Sequence, residues 1–157
     1  MGVTKHPLFV DDGSSGAIPP DRALIRRLQS SFAHAAASEG KLAERFYARL
    51  FAAEPEVRAL FPADMAAQQE KLFATLAQVV VHLQNPAITR PMLEDLGREH
   101  TGFGAKEAHY PLVCEMLTRA LADVSGDAWN AELEHDWRRA LELLSAIMIA
   151  GAREQRV

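Results

Sequence analysis

The chain has little of what several functions require. One cysteine, Cys114, in 157 residues rules out a disulfide framework. The 17 Lys and Arg are outnumbered by 21 Asp and Glu, so no basic excess exists to neutralise nucleic-acid phosphates. No uninterrupted apolar run is long enough for a membrane span. The first residues lack the charged start and apolar run of a secretory signal, so a cytoplasmic protein is expected. No glycine-rich loop follows a strand pattern, which argues against a nucleotide-binding half. Strand-like alternation, internal repeats and low-complexity tracts are also missing, apart from the alanine patch at 33–37.

What remains is a composition typical of a globular domain, 48% hydrophobic and 24% charged. A chain of this length buries roughly two thirds of its unfolded surface. Residues 1–18 show no sustained period and read as a tail, which Leu8, Phe9 and Val10 can pin to the surface. Residues 19–157 read as one all-α domain of about seven helices, with proline at most joints. A first helix is expected over 20–37 and a second, capped by Ser38, to Ala53. A short helix then runs through Val57 and Leu60, both inward. Asp64 caps a long helix to Gln84. Thr89 caps the next, with Pro91 in its first turn, and Gly102 and Gly104 end it. Another starts near Lys106 or Glu107. Asp127 caps the last, which carries Trp137 and runs to Ala152.

The pattern breaks in residues 92–113. Met92, Leu93, Leu96, His100 and Phe103 share one helical face, which points His100 where the leucines point, into the core. A buried imidazole must satisfy two ring nitrogens. A hydrogen-bonded core histidine does this, and so does a metal or haem ligand. Tyr47, one residue after Phe46, Gln68 on the stripe of Met65 and Leu72, and Tyr110 at the next inner face also place polar tips among apolar neighbours. Each alone reads as an ordinary core or edge residue, as Phe61 reads as plain core. Together they supply one axial ligand, opposing polar groups and an apolar lining, which is what a gas-binding haem pocket needs.

The segments ERFYARLFAAEPEVRALFP, QQEKLFATL and LGREHTGFGAKEAHYPLV, with the Trp137 helix, resemble a bacterial single-domain globin, akin to the globin domain of flavohaemoglobins. The likeness spans about residues 22–152. It implies the globin fold and a haem b cofactor with its iron. His100 resembles the proximal ligand, Tyr47 and Gln68 the distal pair that hydrogen-bonds the gas, and Tyr110 the proximal tyrosine. Phe46, Phe61, Leu72, Leu96, Phe103, Val113 and Met148 are expected to line the haem. Lys71 is expected at a propionate or in solvent. Gln68 stands where many globins carry histidine, so ligation of iron by a second histidine there is excluded. The family's carboxylate behind the proximal histidine falls at Ala152, with Glu154 two residues on. The resemblance implies O₂, CO and NO as ligands and gas binding or storage. Nitric oxide dioxygenation is an alternative, and its electrons would come from a separate reductase. A gas-sensing module and a helical domain with some other occupant are further readings.

Overall fold

The computed structural model describes residues 21–38 and 40–154; the expected tail and the helix start at Pro19-Pro20 lie outside them. Six α-helices follow one another: α1 (Arg22–Ala36), α2 (Lys41–Ala53), α3 (Ala66–Val81), α4 (Pro86–Gly102), α5 (His109–Ser125) and α6 (Ala131–Glu154). Two 3-10 turns, Pro55–Leu60 and Gly126–Ala128, join them, and no strand occurs among the described residues. The expected all-α fold is present.

Apolar spacing explains each helix. In α2 the buried residues Leu42, Ala43, Phe46, Tyr47 and Leu50 recur at three- and four-residue steps. In α6 Trp137, Ala140, Leu141, Leu144 and Ile147 do the same. These stripes meet in one core with Leu24, Ile25, Leu28 and Phe32 of α1 and Leu117 and Leu121 of α5. Two polar ties fix α1 on α6. The Trp137 indole N–H donates to Ser31 Oγ at 3.0 Å, and Arg27 grips the buried Asp136 at 2.7 Å.

The helix starts differ from expectation in three places, two of them because the side chain is claimed by another bond. Ser38 does not cap α2; its hydroxyl donates back to the Ala35 carbonyl at 2.6 Å and closes α1. The chain then reverses at Gly40, whose φ of +88° is open to glycine at little cost. Thr89 does not cap α4, which starts earlier at Pro86; it is fully buried, and its hydroxyl donates to the His82 and Asn85 carbonyls. Asp127 lies in a 3-10 turn, and Asn130 Oδ1 accepts the Leu133 N–H at the start of α6 instead. Asp64 does act at the head of α3, accepting the Ala66 N–H at 3.0 Å.

One seam positions the candidate site. A Cβ built on Gly97 of α4 would lie 1.9 Å from the Met148 carbonyl oxygen of α6. A Cβ on Gly151 would lie 2.5 Å from Glu94 Cα. The two helices therefore touch backbone to backbone, each through a glycine in the other's path. Mid-helix glycine costs about 1 kcal/mol relative to alanine; here it lets α4 lie flat on α6. The last turn of α4, with His100, is thereby held at a fixed height over the core.

Candidate functional site

Two walls face each other. The first is built by α2, the 3-10 turn Pro55–Leu60 and the head of α3. Tyr47 is buried at 5% exposure inside an aromatic box. Its ring lies 4.9 Å from Phe46, 5.7 Å from Phe51 and 5.4 Å from Phe61, centre to centre. Edge-on and stacked contacts of this kind fix a ring's orientation. Gln68, one turn into α3, donates from Nε2 to Tyr47 Oη at 3.0 Å. Burial pushes the Tyr47 hydroxyl above its ordinary range, and the Gln68 bond opposes that in part. The hydroxyl thus stays neutral, and since it accepts from Gln68 its own proton remains available for a third atom. Leu72, one turn beyond Gln68, and Phe61 are half-buried beside this pair and pack on the core.

The second wall is α4 and the start of α5. Leu93 is buried, and Met92 and Leu96 are half-buried as expected. His100 and Phe103 are not inside. His100 is exposed, and Phe103, past the end of α4, is 70% exposed. The helical face carrying them outruns the core past Leu96, while another side of the last turn, at Thr101, meets Tyr110 of α5 and Ala152 of α6 around a small cavity. The chain then turns at Gly104, φ +98°, rather than at Gly102. Leu60, expected inward, is likewise 43% exposed, and its Cδ2 lies 3.3 Å from where a Gly104 Cβ would be. Lys71 Nζ sits 5.7 Å over the Phe103 ring. Leu60 and Lys71 from the first wall and Phe103 and Gly104 from the second therefore form facing lips.

The His100 ring is oriented all the same. Its Nδ1 lies 2.8 Å from the Leu96 carbonyl. A carbonyl only accepts, so Nδ1 carries the hydrogen and, in the neutral ring, Nε2 keeps the free lone pair. No group of three or more His, Cys, Asp or Glu converges among the described residues. A lone imidazole holds iron only where other ligands come from elsewhere, as they do from the pyrrole nitrogens of haem. The donor set and the partly buried apolar surfaces of Phe61, Leu72, Leu96, Val113 and Met148 fit that group.

Behind the second wall, Tyr110 is half-buried, and burial with the nearby Glu107 carboxylate pushes its hydroxyl up. Tyr110 lines a small cavity together with Ala152. A larger cavity of about 550 Å³, bounded by Arg26, Ser30, His34 and Leu133, contains none of the residues nominated from sequence. Gly97 and Gly151 escaped that reading. Their signal was glycine inside an otherwise unbroken helical pattern, which calls for a packing reason.

Six helices packed on one apolar core, with no strand among the described residues, are the architecture of a globin. The chain belongs to the globin family, whose model matches residues 44–148, and the cofactor of that family is haem. It is 35% identical over 117 residues to a flavohemoprotein of Rhodopirellula baltica, covering 73% of this chain and 29% of that protein. A flavohemoprotein of Bordetella parapertussis is 30% identical over 71% of the chain and 29% of its own length. The chain thus spans under a third of these relatives. Among solved structures, a bacterial globin from Campylobacter jejuni superposes with a TM-score of 0.75 at 19% identity, covering 86% of this chain and 98% of that one. A hexacoordinated heme protein from an anhydrobiotic tardigrade also gives 0.75 at 19% identity, covering 84% and 94%. No helix among the described residues is long and apolar enough to cross a membrane.

Proposed function

We propose that this globin binds O₂, and with it CO and NO, for gas binding or storage, with His100 as the proximal ligand and Tyr47 and Gln68 as the distal donors. The observation that carries the reading is the 3.0 Å bond from Gln68 to Tyr47 inside the aromatic box. When bound, haem b would supply a ferrous iron able to take a diatomic gas. Tyr47 then presents an O–H already set by packing. Gln68 holds that hydroxyl and, through its second amide hydrogen, is a further donor. Both work in a pocket of low dielectric, where such bonds exceed their strength in water. His100 Nδ1–H stays on the Leu96 carbonyl, which fixes the ring and directs Nε2 outward. Phe61, Leu72, Leu96, Val113 and Met148 would supply apolar contact, and Lys71 a cation at the lip.

Release of O₂ is therefore expected to be slow. Absorption spectra of the ferric, ferrous, CO and O₂ forms, with His100→Ala beside the native chain, test the ligand. An unchanged Soret band in His100→Ala would overturn it. Nitric oxide dioxygenation, joining O₂ and NO to nitrate with one electron from a separate reductase, is the second reading. The flavohemoprotein relatives, named for both flavin and haem, favour an electron-supplying partner. The backbone carbonyl on His100 Nδ1 weighs against it, since a carbonyl donates less to the ring than a carboxylate. Nitrate yield on mixing the O₂ form with NO, with and without added reductase, separates the two.

A further inference from the structure

Residues 61–65, between the 3-10 turn Pro55–Leu60 and α3, run without helix or strand. Pro62 explains the break: it disfavours a helical conformation in the residue before it, and Phe61 is extended at φ −119° and ψ 156°. Carbonyls in such a stretch lack the N–H that a helix would bring to them, so they need donors from elsewhere. One side chain supplies them. Arg58 Nη1 donates to the Pro62 carbonyl at 2.9 Å and to the Phe61 carbonyl at 3.3 Å, and Nη2 donates to the Ala63 carbonyl at 3.1 Å. Its Cζ lies 5.2 Å from the centre of the Phe51 ring, within cation–π range. Phe51 and Phe61 pack on each other at 5.4 Å, and both flank Tyr47. One guanidinium thus holds the backbone of one member of the aromatic box and the ring of another. The turn it closes leads into α3, where Asp64 accepts the Ala66 N–H and Gln68 follows.

We propose that Arg58 is the positioning residue of the first wall: its guanidinium fixes the turn that carries Phe61, and with it the direction in which Tyr47 presents its hydroxyl to the bound gas. Arg58 acts through the box and not on the gas. The fork of the side chain is what the role needs. Guanidinium donors spread from one plane and reach three successive carbonyls, whereas an ammonium is a point on a flexible stem. A lysine would keep a charge near Phe51 and lose the grip on the turn. The consequence for gas release rests on the distal reading of Tyr47 and Gln68; the grip on the turn does not.

The test uses the full haem-loaded chain as native protein, Arg58→Met, Arg58→Lys, Tyr47→Phe and the double variant of Arg58→Met with Tyr47→Phe. Arg49→Met, which breaks the surface ion pair of α2 with Asp123, is the control. Arg58→Met is expected to raise the O₂ dissociation rate roughly 3- to 10-fold, as for a hydrogen bond weakened but not removed. Arg58→Lys is expected to follow Arg58→Met, and Arg49→Met to match the native rate. The C–O stretch of the CO form is expected to split or broaden in both Arg58 variants, as the Tyr47 hydroxyl samples more than one direction. On the Tyr47→Phe background, Arg58→Met is expected to add nothing. A lowered unfolding midpoint with a native off-rate and a native C–O band would make Arg58 a residue of stability alone and overturn the proposal. So would an Arg58→Lys variant that behaves as native, or a full Arg58→Met effect without the Tyr47 hydroxyl. Amide hydrogen exchange at residues 61–66 reads the grip itself: faster exchange is expected there in both Arg58 variants, and native exchange refutes it. If Tyr47→Phe leaves the off-rate unchanged, the distal reading fails, while the exchange comparison still decides whether Arg58 holds the turn.

Discussion

The two walls of the cleft are organised in opposite ways. On the Tyr47 side everything is enclosed: the ring is boxed by Phe46, Phe51 and Phe61, and its hydroxyl is already bonded to Gln68. On the His100 side the functional ring is exposed, and a single backbone carbonyl orients it. Rigidity there comes from one layer deeper, where the glycines let α4 and α6 touch. One wall is preset by side-chain packing, the other by backbone packing. The first is tunable one side chain at a time, while the second fails as a unit.

That contrast is broken most severely at the seam. Gly97→Ala places a methyl against the Met148 backbone, which cannot rotate away as a side chain could. Overpacking of this kind typically costs 1–3 kcal/mol and occasionally more, so about 3 kcal/mol is expected here. Urea unfolding should show it, together with weakened haem retention, since α4 must lift and carry His100 with it. Full stability in Gly97→Ala would mean that the seam does not hold the second wall.

The first wall should respond locally. Tyr47→Phe keeps the aromatic box and removes one donor. A hydrogen bond to a charged or strongly polarised acceptor is worth ~1.5–3 kcal/mol, so the O₂ dissociation rate should rise roughly 10- to 100-fold with the unfolding midpoint nearly unchanged. Gln68→Leu should raise it less, about 10-fold, because Tyr47 keeps its proton and its box. Stopped-flow displacement of O₂ by CO measures both. A larger effect from Gln68→Leu than from Tyr47→Phe would reverse the assignment of the principal donor.

The sequence made the first wall readable because its residues sit inside long periodic stripes. Tyr47 falls between Phe46 and Leu50, and Gln68 between Met65 and Leu72, so helical spacing alone turns them inward. The same rule misplaced His100 and Phe103. Periodicity says which residues share a face, and it does not say how far along the helix that face is covered. Both residues lie at the end of α4, where that face leaves the buried core. Helix starts were lost at Ser38, Thr89 and Asp127 for a related reason. A hydroxyl or carboxylate near a boundary can bond backward, forward or to another loop, and tertiary packing decides which. Gly97 and Gly151 were legible as anomalies, but their partner helices became visible only in three dimensions.

The smallest expected effect is one that both walls share. Tyr47 and Tyr110 are each pushed above the ordinary tyrosine range near 10, with burial as the first cause. The folded state therefore holds these protons more tightly than the unfolded chain does. Linkage gives the sign. Their contribution to stability is complete below pH 10 and falls away as pH rises through the raised folded values. The O₂ dissociation rate should accordingly stay flat from pH 7 to about pH 10, because the distal donor keeps its proton throughout that window. Above it, stability and the slow off-rate should be lost together in the native protein, whereas Tyr47→Phe should lose only stability. A rise in off-rate near pH 8 would show that the aromatic box is open to water, and the division into an enclosed and an exposed wall would fail.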